Sequence, residues 1–285
     1  MPLVPTAAIV DAARAQRRGA AAFNVIQLEH AQAIVAGAVR ADAPVILQLS
    51  QNAIRYHGAL RPIAAAARAV AELAGTPVAL HLDHATDAEL VHEAVTLGFG
   101  SVMYDASALD YDDNVSATAE VARFCHDHDV WVEAELGEIG GKDGVHAPGA
   151  RTDPAEAAAY VAATGIDGLA VAVGTSHAML TRDATLDFAL ITALRDTVPV
   201  PLVLHGSSGV ADADLTAAVD AGMTKINIAT QLNKVFTSVV RDRLAADDRL
   251  VDTRKYLGAA RDATAAEVAR LIGVLRPTPL KGLTV

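Results

Sequence analysis

Short β-branched runs alternate with alanine-rich helical stretches along the whole chain, and that alternation leaves few folds open. Eight runs read as strands: Ala20 to Asn24, Val45 to Ser50, Val78 to Asp83, Ser101 to Asp105, Val130 to Glu135, Gly168 to Val173, Pro201 to His205 and Lys225 to Asn227. The intervening helices carry their own punctuation. Asp153-Pro154 precedes AEAAAYVAATG and Ala211-Asp212 precedes ADLTAAVDAG, each closing on a glycine suited to a left-handed cap. No low-complexity linker or compositional break interrupts the pattern, so residues 1–285 are expected to form one domain. Eight βα units in one domain predict an α/β fold, a closed (β/α)8 TIM barrel. With 285 residues, 52% of them hydrophobic and 20% charged, the chain can bury a core of that size.

An open doubly wound sheet shares the alternation but binds its ligand at a single switch point. Here every strand runs into polar residues: Asn24, Ser50, Asp83 with His84, Asp105 with Ser107, Glu135, Gly174 followed by His177, His205 with Gly206, and Asn227. A barrel gathers such ends on one rim. Among ten histidines, His84, His177 and His205 fall just past the predicted ends of strands three, six and seven. Three imidazoles with a fourth position open make a catalytic zinc arrangement. Successive strand residues face opposite ways, so strand three must end at Asp83 if both Asp83 and His84 are to reach the site. Asp83 is then free for proton transfer, or else orients a ligand histidine from behind. His81 shares the face of Asp83 and is expected inside the barrel. His30, His57, His92, His126, His128 and His146 lie on helices or loops without a matched partner and are expected to pack or face solvent.

A net charge of -11, scattered rather than gathered in a tail, argues against a nucleic-acid partner and leaves any anionic substrate to a local site. The lone Cys125 excludes a disulfide framework and reads as a buried small apolar side chain, which fits a reducing cytoplasm. No segment approaches the ~20 apolar residues that span a bilayer, and the start MPLVPTAAIVDAARAQRRG has no leader pattern. A cytoplasmic protein with no membrane partner is expected.

The strings AFNV at Phe23, LHLDHA at Leu80, SVMYDAS at Ser101, VEAELG at Val132, LAVAVGTSH at Leu169, PLVLHGSSG at Pro201 and TKINIAT at Thr224 occur in a specific order. From about Thr6 to Tyr256 they resemble the class II (metal-dependent) fructose-bisphosphate and tagatose-bisphosphate aldolases. The resemblance implies that His84, His177 and His205 hold a catalytic Zn2+, that Asp105 and Glu135 form a nearby alternative metal position, and that Asp83 shuttles the proton of the C4 hydroxyl. It further implies a phosphate site built from Gly206, Ser208, Asn227, Ala229 and Thr230, with Gly174 adding a backbone contact. Asn24 and Ser50 correspond to substrate contacts, and Arg254 to an arginine that reaches the far phosphate from a neighbouring subunit, although Thr253 stands where the family usually has proline. A monovalent cation (Na+ or K+) is a second cofactor candidate. The expected partner is a small-molecule sugar phosphate, and the expected assembly a homodimer or homotetramer.

Two places depart from the family's pattern. His177 is followed by Ala178 instead of glycine, and the loop after strand five reads Gly140-Gly141-Lys142-Asp143-Gly144 where the family has a catalytic glutamate after paired glycines. Asp143 is the expected base there, with Glu138 as the other candidate. Lys225 in strand eight raises the Schiff-base class, in which zinc ligands would have no purpose. A zinc hydrolase of the amidohydrolase kind would carry a His-x-His pair where this chain has Phe23-Asn24-Val25. The expected activity is cleavage of a phosphorylated ketose, fructose 1,6-bisphosphate foremost, to dihydroxyacetone phosphate and an aldehyde. Tagatose-bisphosphate or deoxy-keto-acid phosphate cleavage, or a catalytically impaired sugar-phosphate-binding barrel, are the alternatives.

Overall fold

In a computed structural model, residues 2–136, 151–177 and 179–275 are described. Eight parallel strands close on themselves in sequence order: β1 (Ala20–Asn24), β2 (Val45–Ser50), β3 (Val78–Ala85), β4 (Ser101–Tyr104), β5 (Trp131–Glu135), β6 (Gly168–Ala170), β7 (Leu202–Leu204) and β8 (Met223–Ile228). Ala22 pairs with Ile46 on one side and Asn227 on the other, which shuts the barrel. Around it run α1 (Thr6–Ala15), α2 (Leu28–Arg40), α3 (Gln51–His57), α4 (Leu60–Glu72), α5 (Ala88–Thr96), α6 (Tyr111–His126), α7 (Pro154–Thr164), α8 (Phe188–Thr197), α9 (Asp212–Ala221), α10 (Thr230–Ala246) and α11 (Thr253–Leu275). The molecule is a single-domain (β/α)8 barrel, as the alternation of strands and helices predicts.

Local chemistry accounts for several of the boundaries. Asp153 caps α7 by accepting from the amides of Ala155 and Glu156, both at 2.9 Å, and Gly165 ends the helix at φ 71. Helix α9 also ends at a glycine, but Gly222 takes φ 140, outside the left-handed helical region, and Ala211 at its start makes no side-chain cap. Strand alternation sorts the core into two parts. Phe23, Leu47, Leu82, Val132, Leu204 and Ile226 point outward and pack beneath the helices. Ala22, Ile46, Ala79, Met103 and Val203 point inward and meet Val4, Ile9, Val10 and Ala13, so α1 plugs the amino-terminal end. The barrel interior is mostly apolar at this end, where Ser101 meets Thr6 of α1 at 2.6 Å and His81 at 2.8 Å, and it turns predominantly polar toward its carboxyl end. Among the described residues no helix is long and apolar enough to cross a membrane.

Strand three departs from expectation. It continues through His84 to Ala85, and its pairing with β4 slips between Leu82 and Ala85, so that one extra residue sits in β3. His84 is the residue that absorbs the irregularity, at φ 50. A left-handed non-glycine conformation costs roughly 1–2 kcal/mol. In return the bulge lets two consecutive side chains face the same rim without ending the strand. The remaining differences are shorter ends on β4, β5, β6 and β7 and a longer β8.

Candidate active site

A cavity of about 210 Å³ opens at the carboxyl end of the barrel, lined by Asn24, Ser50, Asn52, Asp83, His84, His177, His205, Gly206, Ser208, Asn227, Ala229 and Thr230. His84, His177 and His205 each direct a ring nitrogen to within 4.8 Å of the others. His84 also shares a cluster of that tightness with Asp105 and Glu135, which lie fully or almost fully buried at the ends of β4 and β5. Each of these residues comes from a different strand end, and the closed barrel is what brings them together.

The hydrogen bonds decide which ring nitrogens face the cluster. His84 Nδ1 lies 2.9 Å from Asp105 Oδ2, whose other oxygen accepts from the Ser107 hydroxyl at 2.6 Å. His205 Nε2 lies 2.8 Å from Glu133 Oε1. A carboxylate only accepts, so both of those nitrogens carry hydrogen. That leaves His84 Nε2 and His205 Nδ1 as bare nitrogens 2.9 Å apart. Two lone pairs so placed repel unless a cation lies by them, and burial holds His205 well below the usual histidine pKa, so protonation is a poor remedy. Neutral imidazoles backed by carboxylates are the donor set that a divalent transition metal takes, and the residues fit a zinc ion.

Asp83 is arranged differently from the carboxylates that back the histidines. Its Oδ2 accepts from Asn24 Nδ2 at 2.7 Å, and Asn24 Oδ1 accepts from Gln48 Nε2 at 3.1 Å. Its Oδ1 is buried without a hydrogen-bond partner at the cavity wall. Asp83 therefore orients no ligand histidine; that place is filled by Asp105 and Glu133. Across the cavity, α10 begins at Thr230 with Ala229 as a cap that has no side-chain acceptor, and Ser208 Oγ accepts from the amide of Gln231 at 3.1 Å. Ala229 and Thr230, at the amino end of this helix, line the cavity, and an anion is favoured at such an end. No lysine or arginine lines this cavity among the described residues. Gly206, at φ 66, passes so close to Ser176 that a Cβ would sit 2.5 Å from its carbonyl oxygen, so only glycine fits after His205.

Gly174 takes φ 118 against the Thr185 carbonyl and does not line the cavity, and Arg254 lies at the start of α11, 88% exposed and paired with Asp252 at 2.9 Å. Asp143, Glu138 and Ala178 lie outside the described residues. Lys225 is fully buried against Glu133 at 2.8 Å, below the cavity floor. Sequence reading passed over Glu133, Gln48 and Asn52. Glu133 and Gln48 stand two residues before Glu135 and Ser50, and strand alternation alone puts each on the inner face.

The closed barrel and its rim define a (β/α)8-barrel enzyme with a histidine and carboxylate cluster able to hold a metal ion. The family model described as Fructose-bisphosphate aldolase class-II matches residues 4–278, and the chain belongs to that family. It is thus an aldolase, a carbon–carbon lyase. The chain is 32% identical to the YdjI aldolase from Escherichia coli K12, with 97% of this chain and 98% of that one covered at a TM-score of 0.86. A candidate fructose-1,6-biphosphate aldolase from Coccidioides immitis is 29% identical over 94% of this chain and 95% of that chain, with a TM-score of 0.84. Fructose-bisphosphate aldolase from Campylobacter jejuni, 21% identical over 98% and 97% with a TM-score of 0.82, shares the fold.

Proposed function

We propose that the chain is a zinc-dependent ketose-bisphosphate aldolase that cleaves fructose 1,6-bisphosphate to dihydroxyacetone phosphate and an aldehyde. What carries this reading is the meeting, in one cavity, of three imidazoles, an oriented carboxylate with a free oxygen, and a helix amino terminus. When bound, the metal supplies Lewis acidity toward the ketose oxygens. His84, His177 and His205 would hold it, with Asp105 and Glu135 as the alternative position. Asp83, fixed by Asn24, takes the C4 hydroxyl proton on its unpartnered Oδ1 and returns it in the synthetic direction. Backbone amides of Gly206, Ala229 and Thr230, with the Ser208 hydroxyl and Asn227, bind a phosphate, and Asn24 and Ser50 contact the substrate. Asp143, or else Glu138, exchanges the proton on the dihydroxyacetone phosphate carbon.

Fructose and tagatose 1,6-bisphosphates and a phosphorylated deoxy-keto acid, supplied in parallel and followed by release of dihydroxyacetone phosphate or aldehyde, test the substrate. The fructose compound is expected to turn over fastest, and a chelator is expected to abolish cleavage. Full activity in metal-free protein would end the metal reading. Solvent deuterium exchange into dihydroxyacetone phosphate, lost in Asp143→Ala but kept in Glu138→Ala, is the expected result for the base, and the reverse moves the role to Glu138.

A further inference from the structure

Beneath the cavity floor lies a second polar tier that the proposed reaction does not use. Glu133 and Lys225 stand two residues before Glu135 and Asn227 on β5 and β8, with no exposed surface. Lys225 Nζ lies 2.8 Å from Glu133 Oε2 and donates to Asn227 Oδ1 at 2.8 Å. The other carboxylate oxygen, Oε1, meets His205 Nε2 at 2.8 Å. Asn227 Nδ2 also comes within 3.0 Å of that nitrogen. Because Lys225 occupies the amide oxygen of Asn227, the amide NH2 faces Nε2; that nitrogen cannot both accept from the amide and donate to Glu133, and the acceptor-only carboxylate determines the proton's place.

We infer that Glu133 is a positioning residue that fixes the tautomer and tilt of His205, presenting its Nδ1 lone pair to the metal, and that Lys225 is the counter-ion of Glu133 and no nucleophile. This rests on the proposed metal role of His205. Partners of this kind hold a ligand imidazole in one orientation and raise its basicity toward the ion. The arrangement also explains a buried lysine in a barrel of the metal-dependent class. An ammonium locked between Glu133 and Asn227 cannot approach a carbonyl in the cavity. Its removal alone would strand a buried carboxylate, and so Lys225→Met by itself confounds folding with function.

Glu133→Gln keeps the shape and removes the charge. Lys225 then draws the new amide oxygen, the amide NH2 faces His205 Nε2, and the imidazole is pushed to the tautomer with hydrogen on Nδ1. Glu133→Gln/Lys225→Met removes both charges and lets the amide turn its oxygen back to His205. Zinc alone, titrated against a chromogenic chelator, is expected to bind the single variant about 10- to 100-fold more weakly than wild type. In metal-free protein labelled with 15N-histidine, His205 is expected to move from the Nε2–H to the Nδ1–H form in the single variant. The double variant is expected to recover the Nε2–H form and part of the affinity. A single variant that binds zinc within about twofold of wild type, or keeps the wild-type tautomer, overturns the inference. A wild-type protein that takes no zinc defeats the metal reading instead.

Discussion

Asp83 and His84 share a peptide bond, yet one is oriented by Asn24 and the other by Asp105. The bulge at His84 makes that possible, because a regular strand would turn one of them into the outer core. Their different partners predict different failures. Asp83→Ala should keep its zinc and lose about 10²- to 10⁴-fold in turnover, the usual contribution of a general acid–base group. His205→Ala should lose metal and activity together. Metal analysis beside steady-state kinetics separates the two, and an Asp83→Ala protein purified without metal would favour the reading in which Asp83 supports the ligand histidines.

At the scale of elements, α2 and α10 meet where His30 stacks on Phe236 with ring centroids 4.8 Å apart. Both ring nitrogens of His30 are buried without a partner, and burial lowers its pKa to about 4. An imidazole whose folded pKa lies below its unfolded value near 6.5 stabilises the fold fully above that unfolded value. The contribution falls as pH drops from there toward about 4. Between pH 7 and pH 5 the loss amounts to about 2 kcal/mol from this residue. Urea unfolding of His30→Leu should therefore be less sensitive to that interval than wild type by this amount. Equal pH sensitivity in both proteins would show that His30 is not neutral in the seam. This histidine packs, as expected for a helix histidine without a matched partner.

Over the whole molecule, α10 and α11 form an antiparallel pair, with Gln231 bonded to Glu267 at 2.9 Å near the barrel. Burial stops at Phe236 on one helix and begins at Ala260 on the other, so the far end of the pair, with Arg254, stands clear of the core. Arg254 does not line its own cavity, and the proposal that it serves a partner's needs at least a dimer. Mixing Arg254→Ala with His205→Ala subunits tests it. If the site is shared, each hybrid dimer rebuilds one complete site, and activity recovers toward roughly a quarter of wild type after subunit exchange. No recovery, with exchange verified by mass, would confine the site to one chain.

Much of this was legible in the residues because the barrel obeys two local periodicities. Eight alternating units implied the closed fold, and polar residues at each strand end marked His84, His177, His205, Asp83, Asp105 and Glu135 without any three-dimensional information. Caps at Asp153 and Gly165 were legible for the same reason, since a cap is satisfied within a few residues of itself. What depended on contacts across the barrel was not. The slip in β3 arises from pairing with β4, the choice of Glu133 over Asp83 as a partner for histidine arises from which strands face one another, and the pairing of Lys225 joins β5 to β8. Sequence determined which side chains arrive at the rim, because arrival depends on strand length and alternation. Only tertiary structure decided which of them touch, because closure sets the distances between residues far apart in the chain.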